Sequence, residues 1–293
     1  MGEGERADGQ GRAAVSGLDA IIAAIGARFR VVTGPGWVLV HGDCLDVLPL
    51  IADRSVRVTL TDPPYEAEAH EKGKRQGPAF TGSDYERGDT TRPSKRVVDD
   101  VLTFAPMTED DRSAVAAHIA RVTEYRAALF CQVEAIAAWK AALDTGGMPY
   151  RRAIPWVKPD AMPCLHGRWP GQSVEAVAFA QHSGAPACPV GGKARYYEAT
   201  RTPMARDDRA HPTVKPLPLM LAMVDDFTER GDLVLDCYAG SATTGIACAV
   251  RGRLFVGIER DPDFFEVAVR RMRGDLARPR PEQPGLFTRP ETP

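Results

Sequence analysis

The residues richest in usable chemistry are Thr61-Asp62-Pro63-Pro64-Tyr65. They offer an acceptor carboxylate in Asp62, a carbonyl at Pro63 and an aromatic face in Tyr65. Two successive prolines cannot continue a sheet ladder, so the turn is stiff and its carbonyl is freed from pairing. These parts suit a planar base bearing an exocyclic amine. Carboxylate and carbonyl accept from the NH2 group, and the ring stacks on the base. The five residues alone leave open an ordinary strand-to-loop turn with a structural tyrosine.

A second cluster follows late in the chain. Leu233-Val234-Leu235-Asp236 reads as a strand, and Cys237-Tyr238-Ala239-Gly240-Ser241-Ala242-Thr243-Thr244-Gly245 as a small-residue turn into a helix. A further strand, Leu254 to Ile258, ends in Glu259. Strand, small-residue turn, helix, strand and acid is the layout of a nucleotide-type binding half. The turn lets backbone approach a ligand and aims helix N–H groups at it. Glu259 is placed to accept from two ribose hydroxyls, with a plain surface acid as the alternative. The turn is not G-x-G-x-x-G, which favours a nucleoside over a dinucleotide. Asp43, after Gly42 at the end of another short strand, can face a ligand or cap the helix that follows.

The elements that must position these residues alternate. Helical spacing covers Leu18 to Ile25, Leu45 to Ile51, Thr108 to Tyr125, Val133 to Leu143, Leu217 to Phe227, a stretch ending near Val250, and Asp263 to about Leu276. Apolar strand runs cover Trp37–Val40, Val56–Leu60, Ala127–Cys131, Arg151–Val157 and Ser173–Ala180, besides the two already given. Alternation of this kind argues for a mostly parallel sheet with helices on both faces. The apolar run into Asp62 places that turn at a sheet edge, where open α/β folds hold their ligands.

Two irregular stretches interrupt the pattern. Residues 66 to 107 carry mixed charge and read as a mobile loop. Residues 183 to 215 carry six cations against three acids, with Tyr196-Tyr197 among them. Lys193, Arg195, Tyr196, Arg201, Arg206 and Arg209 suit phosphate contact and base stacking, a solvated loop being the rival reading. Residues 1–16 read as a disordered tail and 278–293 as a Pro-rich flexible one, which leaves 17–277 as a single domain.

Bulk composition adds limits. The 293 residues are 44% hydrophobic and 26% charged, with a net charge of -2. That is ordinary for a globular chain, and any nucleic-acid surface must be local. The six cysteines are scattered with no C-x-x-C pair, which favours reduced thiols over disulfides or zinc. With no 18-residue apolar run or signal peptide, a cytoplasmic protein away from the membrane is expected.

Asp62-Pro63-Pro64-Tyr65 resembles the catalytic motif of the amino-group DNA methyltransferases. The stretch Asp236 to Thr244 is similar to their cofactor motif, usually D-P-F-x-G-S-G-T-T. His211-Pro212-Thr213-Val214-Lys215-Pro216 resembles the H-P-T-x-K-P segment before it. Catalytic motif before cofactor motif is the order of the circularly permuted β class, and the likeness covers residues 37 to 273. The resemblance implies a Rossmann-like class I fold with a seven-stranded sheet. It implies S-adenosyl-L-methionine as cofactor, no metal, and double-stranded DNA as partner. A homodimer and a cognate restriction endonuclease stay open.

The resemblance assigns catalysis to Asp62, Pro63, Pro64 and Tyr65. It assigns cofactor binding to Asp43, Lys215, Asp236, Tyr238, Gly240, Ser241, Thr243, Thr244 and Glu259. The expected reaction is methyl transfer to the N6 amine of a flipped adenine. Cytosine N4 is the runner-up, since cytosine-specific relatives more often carry Ser where this chain has Asp62. A decayed scaffold that only binds nucleic acid and a small-molecule methyltransferase are the rivals. Two positions depart from the pattern: Cys237 stands for Pro and Ala242 for Gly. Alanine fits unless that position needs a positive φ.

Overall fold

A computed structural model describes residues 17–65, 107–161, 170–200 and 214–274. The chain forms two compact units, one from residues 1–63 with 109–293 and the other from 64–108. The sequence reading kept residues 17–277 as one domain. Of the second unit only Pro64, Tyr65, Met107 and Thr108 are described, and Met107 N–H donates to the Tyr65 carbonyl at 3.3 Å. Both predicted tails, most of the predicted loop 66–107 and His211 to Thr213 lie outside the described residues.

Among the described residues, the first unit is built on one nine-stranded sheet: β1 (Arg30–Gly34), β2 (Trp37–His41), β3 (Val56–Thr61), β4 (Thr123–Cys131), β5 (Tyr150–Val157), β6 (Val174–Gln181), β7 (Tyr197–Glu198), β8 (Leu233–Asp236) and β9 (Leu254–Glu259). Their spatial order is β1-β2-β9-β8-β3-β4-β6-β5-β7. The expected seven strands are the middle of this sheet, so the count is corrected by one strand at each edge. β1 joins β2 through a two-residue hairpin, with Gly34 opposite Trp37 and Gly36 at φ 77. β7 is two residues pairing with the end of β5.

Strands β2, β9, β8, β3 and β4 are mutually parallel. β6 runs antiparallel to both β4 and β5. From β8 the chain moves one way to β9, and from β3 it moves the other way to β4. The crevice between β8 and β3 is therefore the topological switch point, where open α/β sheets place their ligands. One result matters for the site. Because β6 is reversed, its first residues lie at the same end of the sheet as the last residues of β3, β4, β5, β8 and β9.

The helices among the described residues are α1 (described over 17–26), α2 (Cys44–Val47), α3 (Glu109–Val122), α4 (Ile136–Thr145), α5 (Leu217–Phe227), α6 (Thr243–Arg251) and α7 (Pro262–Arg273). Strand alternation divides the core. Leu39, Val58, Leu60, Ala128, Phe130 and Val234 pack with Leu219, Met220, Met223, Phe227, Ala247 and Phe265 of α5, α6 and α7. Their neighbours Val38, Val40, Ala127 and Leu129 are equally buried and point to the opposite face, where α3 packs on α4. Each such fully buried large side chain contributes about 1.5–3 kcal/mol. Glu109, Asp110 and Asp111 fill the first turn of α3, as the helix dipole favours. Among the described residues no helix is long and apolar enough to cross a membrane.

Candidate active site

Asp62 leaves β3 at the ligand-bearing end of the sheet. Its Oδ2 accepts from the Lys215 ammonium at 2.8 Å. Its Oδ1 is buried and, among the described residues, meets no hydrogen-bond donor. A buried acceptor without a donor costs about 1–3 kcal/mol and calls for an explanation. Burial pushes the Asp62 carboxyl above the usual carboxylate range, and the charge of Lys215 pulls against that shift. Lys215 itself is driven down by burial, but Asp62 and Glu175 outweigh this and hold it above the ordinary lysine value. Pro63 follows, buried. Pro64 and Tyr65, the rest of the predicted turn, begin the second unit and are half-buried.

Across the switch point lies Asp236, 3% exposed at the end of β8. Its Oδ1 accepts from the Thr61 hydroxyl at 2.7 Å and the Tyr238 N–H at 3.1 Å, and its Oδ2 from the Thr244 hydroxyl at 2.6 Å. Thr61 in turn accepts from the Cys237 N–H at 3.2 Å. One threonine thus joins the two predicted motifs, β3 to β8. Burial still dominates and pushes the Asp236 carboxyl up to about 6, against the three hydrogen bonds.

The turn after Asp236 is left-handed twice, with Gly240 at φ 52 and Ala242 at φ 59. Ala242 is the residue standing where the resembled motif has glycine, and its position does require a positive φ. It adopts ψ 37 and occupies the N-cap of α6 without a side-chain cap. The first amides of α6 therefore receive no capping side chain. Gly245 lets α6 pack tightly, since a Cβ there would stand 2.6 Å from the Phe255 ring.

Glu259 ties this turn to the next. Its Oε2 accepts from Gly240 N–H at 2.7 Å and its Oε1 from Asp261 N–H at 2.8 Å. Burial raises its pKa against these bonds. A carboxylate has about four acceptor sites, and with the Arg260 backbone N–H also bonded one of them stays available for a ligand. Asp43 is the N-cap of α2, accepting from Leu45 N–H at 2.9 Å, and its Oδ2 lies 3.5 Å from Arg260. Gly42 N–H donates to the Glu259 carbonyl, so Asp43, Glu259 and the Asp236 turn share one sheet end. Tyr238 hydrogen-bonds the Cys44 thiol, whose pKa burial pushes up to about 12.

Several assignments meet a different environment. Lys215, assigned to cofactor binding, has its ammonium against Asp62. Ser241 and Thr243 are buried, and Arg271 of α7 donates to the Ser241 hydroxyl and carbonyl at 2.5 Å and to the Thr243 hydroxyl at 3.2 Å. The Thr244 hydroxyl is taken up by Asp236. Of the predicted DNA contacts, Lys193 and Tyr196 are exposed, Tyr196 by 60%. Arg195 is ion-paired to Asp226, which also accepts from the Tyr197 hydroxyl at 2.8 Å. This cation anchors its own stretch to α5. Arg201, Arg206 and Arg209 lie outside the described residues. Thr61, Lys158, Glu175 and Arg271 carried no assignment, and only their places at strand ends or on the last helix hinted at one. Among the described residues no three His, Cys, Asp or Glu side chains form a metal-ligand group.

A mostly parallel sheet in which β6 is reversed among the inner strands, a switch point flanked by two acid-ended strands, and a small-residue turn define a class: the Rossmann-like α/β methyltransferases. The fold is similar to that of M1.HpyAVI, solved as a SAM complex, at a TM-score of 0.58 and 23% identity over 80% of this chain and 98% of that one. It is also similar to the cytosine-N4-specific PvuII DNA methyltransferase, at a TM-score of 0.60 and 14% identity over 81% and 86%. The N6/N4 methyltransferase family, described as DNA methylase, matches residues 56–270, and the chain belongs to it. The type II methyltransferase M2.MboI of Moraxella bovis is 44% identical over 61 residues. That match spans 21% of this chain and 22% of the relative's length.

Proposed function

We propose that the protein transfers a methyl group from S-adenosyl-L-methionine to the exocyclic N6 amine of an adenine flipped out of double-stranded DNA. The observation that carries this reading is the carboxylate of Asp62: one oxygen held by Lys215, the other buried and lacking a donor among the described residues. An aromatic amine is a poor nucleophile because its lone pair is delocalised into the ring. Asp62 Oδ1 and the Pro63 carbonyl accept its two N–H groups, which favours a tetrahedral nitrogen with its lone pair free. Tyr65, three residues along from Asp62, is assigned the stacking face on its place in the motif. Stacking of this kind is worth about 1–3 kcal/mol per base. The remaining contribution is alignment of two bound reactants.

The residues at the ends of β2, β8 and β9 fit the cofactor. Glu259 keeps an acceptor site for a ribose hydroxyl, and Asp43 stands beside it. The turn at Gly240 presents bare backbone, and the uncapped start of α6 suits the polar parts of the ligand. When bound, S-adenosyl-L-methionine would supply an electrophilic methyl group: the S–CH3 bond breaks as the N–CH3 bond forms, S-adenosyl-L-homocysteine leaves, and the amine's surplus proton passes to solvent. The same acceptors serve the N4 amine of cytosine, so the base is an outcome of the test.

The test is nucleoside mass spectrometry on unmethylated DNA incubated with the protein and labelled S-adenosyl-L-methionine. Label in N6-methyladenine is expected. Label in N4-methylcytosine keeps the mechanism and corrects the base. No label, with neither cofactor nor DNA bound, overturns the reading. DNA bound without cofactor makes the chain a nucleic-acid-binding scaffold. A homodimer and a cognate endonuclease remain partners to seek once activity is in hand.

A further inference from the structure

The ion pair on Asp62 does not end at Lys215. Lys215 Nζ also lies 3.5 Å from Oε2 of Glu175, and Glu175 Oε1 lies 2.7 Å from Nζ of Lys158. The side chains of Lys158, Glu175 and Lys215 are exposed by only 13, 15 and 12%. Buried ion pairs lose so much hydration that apolar packing is often as stable. A run of four alternating charges at the ligand end of the sheet therefore asks for a local reason. Its geometry comes from the reversed strand. β6 starts where β3 and β5 finish, so Glu175 meets Lys158, one residue past β5, and reaches across toward Asp62. The Lys215 ammonium is further confined by ring faces, 4.9 Å from the Phe130 centroid and 5.5 Å from that of Trp156.

We propose that Glu175, anchored by Lys158, is a positioning residue: it holds Lys215 on Oδ2 of Asp62 and so leaves Oδ1 as the acceptor that meets the amine. This rests on the assignment of Asp62 as the amine acceptor. Among the described residues, the charged groups facing Asp62 are Lys215, Glu175 and Asp236, with Lys158 behind Glu175. Loss of the Glu175 charge has two effects of opposite sign. If Lys215 stays in place, Asp62 loses a repelling neighbour and becomes the stronger acid. If Lys215 drifts away, burial takes over and Asp62 becomes the weaker acid. Positioning by Glu175 requires the second result.

The experiment is Glu175→Gln in the full chain, with the Asp62 carboxyl titration followed by carbon NMR and assigned through Asp62→Asn. The midpoint should rise by about one pH unit, a tenfold change in the ionised fraction. A midpoint that falls or stays put overturns the proposal. Glu175→Asp keeps the charge but shortens the reach, and it should give the same rise. A wild-type titration in Glu175→Asp would mean that charge alone acts, which also overturns it. In turnover, Glu175→Gln should lower kcat about tenfold with KM for DNA unchanged. In a Lys215→Met background it should add less than about twofold, because its route is then cut. Equal losses in both backgrounds count against the proposal. A wild-type protein that transfers no methyl group counts against the proposed function instead, and the NMR titration still reads the positioning.

Discussion

Asp236→Asn should make the protein less sensitive to pH, and the size of the effect follows from the site. The Asp236 carboxyl titrates at about 6 in the fold against 3.8 when exposed. Each pH unit between these values is about 1.4 kcal/mol, so the ionised group lowers stability by about 3 kcal/mol. The sign runs against the usual carboxylate. The folded pKa is raised, so the fold binds the proton more tightly than the unfolded chain between the two values. Stability is then highest below 3.8 and falls as pH rises through 6. About 2 kcal/mol of this fall lies between pH 4.5 and 7.5. Asparagine removes the titration. Its oxygen still accepts from the Thr61 hydroxyl and Tyr238 N–H, and its NH2 faces Thr244, whose hydroxyl can turn to accept. Urea unfolding of both proteins across this range gives the difference directly. The variant should gain about 2 kcal/mol on wild type between pH 4.5 and 7.5. A flat difference, or one of opposite slope, would mean that the three hydrogen bonds outweigh burial and that the reasoning is wrong.

Thr61→Val keeps the shape but leaves the Cys237 N–H and one Asp236 lone pair unpaired. It should cost about 1–3 kcal/mol in urea unfolding, and a change within error would show that β3 and β8 are not joined through this hydroxyl. Ala242→Val forces a branched side chain into a buried left-handed position, adding about 1–3 kcal/mol of overpacking to the backbone strain. Calorimetry should find S-adenosyl-L-methionine binding lost. Ala242→Gly should be near neutral in stability. It relieves about 1–2 kcal/mol of strain but adds about 0.5–1 kcal/mol of chain entropy and removes a buried methyl worth about 0.8 kcal/mol. Asp62→Ala should cut methyl transfer about 10²–10⁴-fold while calorimetric cofactor affinity stays within a few-fold of wild type; retained turnover removes Asp62 from the mechanism.

Strands announced by uninterrupted apolar runs were legible in the sequence, because burial on both sheet faces needs such runs. β3, β8 and β9 carry the site, and all three were read within a residue of their observed ends. β1 was not legible. Arg30-Val-Val-Thr33 is half exposed and gains its place only by pairing with β2. α3 was drawn three residues too long because the chain passes from Val122 straight into β4, with no glycine or proline to mark the change. In the site, residues fixed by short-range logic were found: Asp62 at a strand end, Asp236 before its turn, Asp43 as a cap. What escaped depends on the order of strands. Lys158 and Glu175 are partners only because β6 is reversed. Arg195 looked like a free cation because Asp226 lies 31 residues away on another element.

The Met107 N–H bond to the Tyr65 carbonyl closes a neck. The chain departs one residue after β3 has delivered Asp62 and returns just before α3, with the two sides of the neck in hydrogen-bond contact. A segment tethered in this way can be lengthened, shortened or exchanged while the sheet stays intact, since closure entropy rises by only about 0.6 kcal/mol per doubling of length. The number of residues between 65 and 107 is therefore only weakly constrained by that closure.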